Sequence, residues 1–145
     1  MNTNLFAIMT PGRSFPVFQT DFGTIGILIC FDQSFPQTAQ KMADNGAEIV
    51  FVSSAGDAAE KFSARAMDTG IYFAVCGWNT ENSYGWKPAR VVSPTGEILA
   101  QSGTHTIPAV CDIDLNKRIR RHWLSTGAAD TQIKGVYRYE RNGID

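Results

Sequence analysis

The sequence has 145 residues, of which 43% are hydrophobic and 19% are charged, a composition typical of one ordinary globular domain. Its 13 basic and 14 acidic residues leave a net charge of −1, which gives no reason to expect a nucleic acid or a membrane as partner. No apolar run approaches the roughly 20 residues of a membrane helix. The start of the chain lacks a signal-peptide pattern, and three widely spaced cysteines form no disulfide framework, so we expect a cytoplasmic protein.

The amino-terminal part predicts a β-hairpin that leads into a buried strand. A short apolar piece at Leu5–Met9 precedes a strand at Val17–Thr20, and residues 21–23 form the turn. The second strand, Ile25–Ile29, is short, β-branched and apolar. That pattern predicts a strand buried on both faces of a sheet.

The middle of the chain alternates predicted helices and strands. A helix begins at Pro36, which suits the first helical position, and ends before Gly46. An apolar strand at residues 49–52 follows, then a helix over Asp57–Gly70 and a third strand over Ile71–Asn79. A strand, a helix and a strand within about 30 residues predict a βαβ unit with parallel strands.

The last third predicts a hairpin, a strand and a helix. Residues 90–93 and 97–100 flank the turn residues 94–96 and predict the hairpin. An apolar stretch at residues 107–113 predicts a further strand, and the basic stretch over 115–124 predicts a solvated helix. Residues 125–145 show no clear period.

Cys30 stands where the strand ending at Ile29 gives way to the helix beginning at Pro36. In open α/β folds this edge is where ligands bind. A turn there leaves backbone N–H groups free, and a nearby helix N-terminus favours negative charge, which suits a thiolate and an oxyanion. A buried apolar cysteine is an equally common alternative, and the local sequence leaves both open. Cys76 and Cys111, in the middle of predicted strands, are expected in the core.

The run Gly26-Ile27-Leu28-Ile29-Cys30-Phe31-Asp32, followed by Phe35-Pro36 and by Gly46-Ala47 with an apolar strand, resembles the nucleophile region of the nitrilase superfamily, the carbon–nitrogen hydrolases. The resemblance covers roughly residues 10 to 115. Its other parts are Thr10-Pro11-Gly12, residues 18–23, Arg65-Ala66, Asn79, residues 93–97 and Asp112-Ile113-Asp114.

The resemblance implies an α/β fold, part of a four-layer α-β-β-α sandwich. Residues 1–124 would be the C-terminal part of the carbon–nitrogen hydrolase domain, with the N-terminal half missing. Residues 125–145 would be an extended C-terminal arm that packs on a second subunit. We therefore expect a homodimer or a higher oligomer.

The resemblance also implies a chemistry: hydrolysis of a non-peptide carbon–nitrogen bond, in an amide or N-carbamoyl substrate, through a thioester at Cys30. The backbone N–H of Phe31 would bind the oxyanion. The substrate pocket would include Asp32, Ser53, Ser54 and Asn79. No cofactor and no metal are implied, and the partner is a small amide-type molecule.

The family's remaining catalytic groups, a glutamate and a lysine that precede the cysteine, have no counterpart here. Arg13 and Asp21 are the only charged residues before Cys30. We therefore expect the chain to be incomplete and inactive alone. Two alternatives stay open. One is the N-acyltransferase branch of the superfamily, which passes its acyl thioester to an amine. The other is a non-catalytic half-domain that needs a partner chain.

Overall fold

Six strands form one mixed sheet in which the strand order follows the chain order. The computed structural model describes residues 10, 12–54, 59–76, 88–103, 107–117, 120–121 and 131–132. The strands of this sheet are β1 (Val17–Gln19), β2 (Thr24–Ile29), β3 (Ile49–Ser53), β4 (Tyr72–Cys76), β5 (Arg90–Val92) and β6 (Ile98–Gln101). Helix α1 (Pro36–Asp44) joins β2 to β3, and helix α2 (Ala59–Thr69) lies between β3 and β4. A 3₁₀ turn over Cys30–Ser34, named here the nucleophile turn, precedes α1.

The centre of the sheet is parallel, as the βαβ pattern predicts. In the register, Ile27 of β2 lies beside Phe51 of β3, which lies beside Ala74 of β4. The outer strands are antiparallel: β1 pairs with β2, β5 with β4, and β6 with β5. The predicted hairpin between β5 and β6 is confirmed, and Gly96 takes a positive φ of 82° in its turn.

The hydrophobic core lies between one face of this sheet and the two helices. Phe62 of α2 packs against Phe73 of β4, with their ring centroids 5.7 Å apart. Both side chains are fully buried, and burying a phenylalanine contributes about 1.5–3 kcal/mol. The whole core consists of Leu28, Ala39, Met42, Ala43, Ala47, Val50, Val52, Phe62, Ala66, Ile71, Phe73, Val75 and Val92.

Helix α1 begins and ends where the sequence predicts. Pro36 occupies its first turn, where the missing N–H costs nothing. At the other end, the N–H of Gly46 donates to the carbonyl of Ala43 and that of Ala47 to the carbonyl of Met42. Gly46 has a φ of 100°, a conformation that glycine adopts without a steric penalty.

The opposite face of the sheet is open, so the prediction that β2 is buried on both faces is wrong. Ile27, Ile29 and Phe51 on that face expose 47%, 64% and 40% of their surface. Phe18 is paired with Ile25 and is also exposed. We call the face that these four side chains form the open face. Strand β2 does carry apolar side chains on both faces, but in the described residues both helices pack on the same face.

Residues 107–117 cover only the amino end of that face. Ile49 and Tyr72 are buried there, beside Cys111, Ile113 and Leu115. The predicted strand over 107–113 is wrong, because this segment pairs with no strand in the described part of the chain. Its residues Cys111 and Ile113 instead lie against the sheet without joining the hydrogen-bond ladder.

The helix predicted over 115–124 is also wrong where the structure describes it. Asp114 forms a turn instead: its side-chain Oδ1 accepts from the N–H of Asn116 and its carbonyl from that of Lys117. Such an Asx turn competes with helix formation. Strand β7 (Arg120–Arg121) then pairs antiparallel with β8 (Thr131–Gln132).

Several predictions fall outside the described residues. They concern Leu5–Met9, the helix start at Asp57, the strand end at residues 77–79, the loop at 80–87 and nearly all of the 125–145 arm. The division at residue 124 therefore stays a prediction. Among the described helices, neither has the length and apolarity needed to cross a membrane.

Gly26 lets α1 approach the backbone of β2, and we predict that Gly26→Ala destabilises the fold. An added Cβ would stand 3.0 Å from Sδ of Met42 and 3.1 Å from Cγ2 of Val50. We expect a loss of about 1–3 kcal/mol in the free energy of unfolding, measured by urea denaturation. Gly12→Ala is the control, because nothing lies within 4 Å of its Cβ position. A loss at Gly26 no larger than that at Gly12 would contradict the close approach.

Tyr72 makes stability depend on alkaline pH. Burial raises the pKa of Tyr72 above its usual value of 10.0, with further contributions from the negative charges of Asp114 and Cys111. The folded state therefore holds the phenol proton after the unfolded chain has lost it. Stability should be intact below pH 10 and fall as the pH rises toward the folded pKa. In Tyr72→Phe the part of this fall that Tyr72 causes should be absent when the free energy of unfolding is measured from pH 8 upward. If the free energy falls as steeply with pH in the variant, Tyr72 is not its cause.

Candidate active site

The carboxyl ends of the three parallel strands meet in one row at the same edge of the sheet. Ile29 at the end of β2 is paired with Ser53 of β3, which is paired with Cys76 of β4. Cys30 and Ser54 each follow this row by one residue. The register therefore brings the predicted nucleophile and the two predicted serines to one edge, as parallel pairing requires.

Cys30 is exposed and has a strained backbone. Its φ is 46°, and it is the only residue other than glycine with a positive φ in the described part of the chain. This left-handed conformation costs a residue with a side chain roughly 1–3 kcal/mol, and it persists only where the surrounding structure fixes it. The strain and the exposure together distinguish Cys30 from a packed core cysteine.

Asp32 braces the nucleophile turn by hydrogen bonds to the residues that flank it. Its Oδ2 accepts a hydrogen bond from the N–H of Ile29 at 3.0 Å, across the strained residue. Its carbonyl accepts from the N–H of Phe35 at 3.3 Å. The side chain predicted to line the substrate pocket therefore has a structural contact to the backbone on the strand side of Cys30.

Thr38 joins the nucleophile turn to α1. Its buried hydroxyl lies 2.8 Å from the carbonyl of Asp32 and 2.7 Å from that of Phe35, to which it donates. These carbonyls stand at the junction of the turn and the helix. The hydroxyl therefore fixes the angle at which α1 leaves the turn.

Gln33 joins the nucleophile turn to the neighbouring strand. Its Nε2 donates to Oγ of Ser54 at 2.5 Å, and both side chains are buried, with 7% and 8% of their surface exposed. No pattern in the sequence singles out Gln33. A glutamine in a polar turn carries no signal that it will point inward, and its partner is 21 residues away.

Phe31 presents its backbone N–H next to the thiol. It is the second residue of the nucleophile turn, and the first N–H groups of a helical turn have no acceptor inside it. Its ring is exposed and meets Phe35 edge to face, with centroids 5.4 Å apart. This geometry is compatible with an oxyanion at the N–H.

A cleft of about 600 Å³ opens beside the nucleophile turn. Its walls are the segment at residues 12–16, Ile27 and Leu28 of β2, and the start of α1. Asp32 and Phe35 line it, whereas Cys30 does not.

The other predicted residues have mixed outcomes. Ser53 is exposed at the edge, Ser54 is buried, and Asn79 lies outside the described residues. The prediction that Cys76 belongs to the core is wrong: its side chain is exposed at the end of β4, on the open face. Cys111, also expected in the core, is half-buried in the segment over the sheet. Within the described residues, no three His, Cys, Asp or Glu side chains meet to hold a metal.

Comparison with known proteins identifies the family. The model of the carbon–nitrogen hydrolase family matches residues 2–121. This chain belongs to the carbon–nitrogen hydrolase family. The fold is accordingly part of the family's α/β sandwich, as the resemblance of the nucleophile motif implies.

Curated relatives in this family include omega-amidases. The omega-amidase NIT2 of Homo sapiens is 34% identical over 119 residues, and omega-amidase NIT2-B of Xenopus laevis is 34% identical over 117. The matches cover 75% and 74% of this chain but only 43% and 42% of the relatives. The chain thus spans less than half the length of these hydrolases.

Solved structures of the same superfamily share the fold. Nit3 of Saccharomyces cerevisiae superposes with a TM-score of 0.58 at 30% identity, over 66% of this chain and 39% of that one. An amidase from Nesterenkonia sp. superposes with a TM-score of 0.59 at 26% identity, over 76% and 46%. A mutant of a Nesterenkonia amidase, with a TM-score of 0.57 at 25% identity over 70% and 42%, carries acrylamide added at its active-site cysteine.

Proposed function

We propose that this chain supplies the nucleophile of a thiol hydrolase that cleaves non-peptide carbon–nitrogen bonds in amide or N-carbamoyl substrates. The observation that carries the proposal is that Cys30 is exposed and has a strained backbone at the carboxyl end of a parallel strand. Its place in a carbon–nitrogen hydrolase chain supports the assignment. The names of the relatives, omega-amidases and amidases, favour water over an amine as the acyl acceptor.

The reaction follows from the thiol. Sγ of Cys30 attacks the carbonyl carbon of the substrate, and the carbonyl oxygen becomes an oxyanion beside the N–H of Phe31. The carbon–nitrogen bond then breaks, and the leaving nitrogen takes a proton. A water oxygen attacks the resulting thioester, the carbon–sulfur bond breaks, and the thiol regains its proton as the acid leaves.

The resemblance implies a glutamate and a lysine for the proton transfers, and residues 1–29 contain neither. Arg13 and Asp21 are the charged side chains there. We propose that the complete site takes a carboxylate and an amine from outside this chain. Ser53, Asp32 and Asn79 would border the pocket on this side, with the buried Ser54 behind them. The chain's coverage of 42–43% of its curated relatives supports a shared site.

A nucleophilic thiol also has to stay reduced. The need for a reduced thiol at Cys30 supports a reducing compartment such as the cytoplasm as the place of action.

A second candidate is a non-catalytic half-domain. The absence of Glu and Lys before Cys30 and the open apolar face favour it. The two candidates differ in what they require of Cys30, because only a nucleophile must react faster than an ordinary exposed thiol.

Acrylamide labelling of the full chain separates the two candidates. We expect Cys30 to add acrylamide on the order of tenfold faster than Cys76 at neutral pH, measured by peptide mass spectrometry over time. Cys76 is the internal control, since it is exposed at the same sheet edge, one strand beyond Ser53. Equal rates at the two cysteines would contradict the nucleophile and leave the non-catalytic reading.

We also propose that the chain associates with a second copy through its open face. The exposed side chains of that face, Phe18, Ile27, Ile29 and Phe51, carry no charge, so two copies do not repel each other there. The four side chains lie on the adjacent strands β1, β2 and β3, so they form one contiguous exposed apolar surface, a feature that marks interaction sites. Two sheets packed face to face, each with helices behind it, make four layers.

Sedimentation of the full chain tests this association. We expect dimers, and we expect Ile27→Lys to shift the population to monomers, because a lysine would be buried unpaired between the sheets. Ala64→Lys is the matched control, since Ala64 is exposed on α2, behind the opposite face. A monomeric starting protein, or equal effects of both lysines, would exclude the open face as the interface.

A further inference from the structure

The strained conformation of Cys30 has to be held by contacts that outweigh its cost. Two of the contacts are local: the carboxylate of Asp32 accepts from the N–H of Ile29, and the hydroxyl of Thr38 donates to the carbonyl of Phe35. Local contacts fix the internal shape of the nucleophile turn. They do not fix where the turn stands relative to the rest of the sheet edge.

The hydrogen bond from Gln33 to Ser54 connects the turn to the neighbouring strand and so fixes its position at the sheet edge. Cys30 and Ser54 lie one residue past the paired residues Ile29 and Ser53, so the bond spans the ends of two neighbouring strands. Both side chains are buried. A hydrogen bond shielded from water is stronger than an exposed one, and losing one partner leaves the other desolvated.

We propose that Gln33 and Ser54 form a positioning pair whose hydrogen bond holds the nucleophile turn against the end of β3 and thereby aims Sγ of Cys30. The inference rests on the proposed role of Cys30 as nucleophile. Ser54 then acts through Gln33 and not by touching substrate. Without the bond, the turn moves and the thiolate loses its alignment with the N–H groups of the turn.

The experiment measures the acrylamide alkylation rate of Cys30 in full-length protein that carries Cys76→Ser and Cys111→Ser, so that Cys30 is the one thiol. Gln33→Met keeps the length of the side chain and removes the donor, and Ser54→Ala removes the acceptor. We expect each to slow alkylation by about tenfold. Ser54→Thr, which keeps the hydroxyl, should retain the rate. Gln19→Met, the same substitution at an exposed site on β1, should leave it unchanged.

The double variant tests whether the two residues act as a pair. Both single variants lose the same Gln33–Ser54 hydrogen bond. Alkylation of Cys30 in the double variant Gln33→Met with Ser54→Ala should therefore be no slower than in the single variants. Rates that multiply would overturn the pair. Circular dichroism and urea unfolding identify the folded variants. If Gln33→Met does not fold, the pair is tested by Ser54→Ala, which should slow alkylation, and by Ser54→Thr, which should restore the rate.

The two proposals fail in different ways. A Cys30 that reacts no faster than a model thiol in the starting protein refutes the nucleophile, and with it the positioning pair. A fast Cys30 that stays fast in Gln33→Met refutes the positioning pair alone.

Discussion

The parallel register of β2, β3 and β4 is the constraint on which the rest of the structure depends. It places Ile29, Ser53 and Cys76 in one row, so that every loop after a parallel strand emerges at the same edge. The register itself depends on one buried face, because a slip of one residue would turn Leu28, Val50 and Val52 out of the core. Packing at the centre of the sheet therefore decides the geometry at its edge.

The site combines a rigid support with a strained residue. The core fixes the strand end, the Asp32 and Thr38 contacts fix the turn, and Cys30 takes a conformation that it would not adopt in isolation. Strain of this kind concentrates at functional positions, where the fold outweighs the preference of one residue. Under the proposed function, what the chain contributes to catalysis is an aimed nucleophile, and the groups that move protons would lie outside the stretch before Cys30.

Sequence patterns predicted the elements whose causes are local. Pro36 and Gly46 mark the ends of α1, and the apolar runs of β2, β3 and β4 mark the parallel centre of the sheet. The wrong secondary-structure predictions concern segments whose conformation depends on contacts that the local sequence does not show. The apolar stretch at 107–113 packs over the sheet instead of pairing as a strand. The basic stretch after Leu115 lost its helix to the hydrogen bonds of Asp114.

The candidate site shows the same division. The position of Cys30 follows from the end of an apolar run and the proline after it, and its family motif is contiguous. Gln33 could not be predicted, because its hydrogen bond joins residues 33 and 54 and nothing in either neighbourhood signals the other. Exposure of Cys76 depends on the far side of the sheet being uncovered, which a strand's own sequence does not report.

Ile29 is the most exposed of the four side chains on the open face, and it immediately precedes Cys30. Any body that covers this face therefore also changes how much water reaches the sulfur. If Cys30 forms the proposed thioester, covering of the face and acylation share one free-energy cycle. A partner that stabilises the thioester by some factor is then bound more tightly by the acylated chain by the same factor. Acylation of the thiol would thus change the affinity between the chain and the partner that covers the open face.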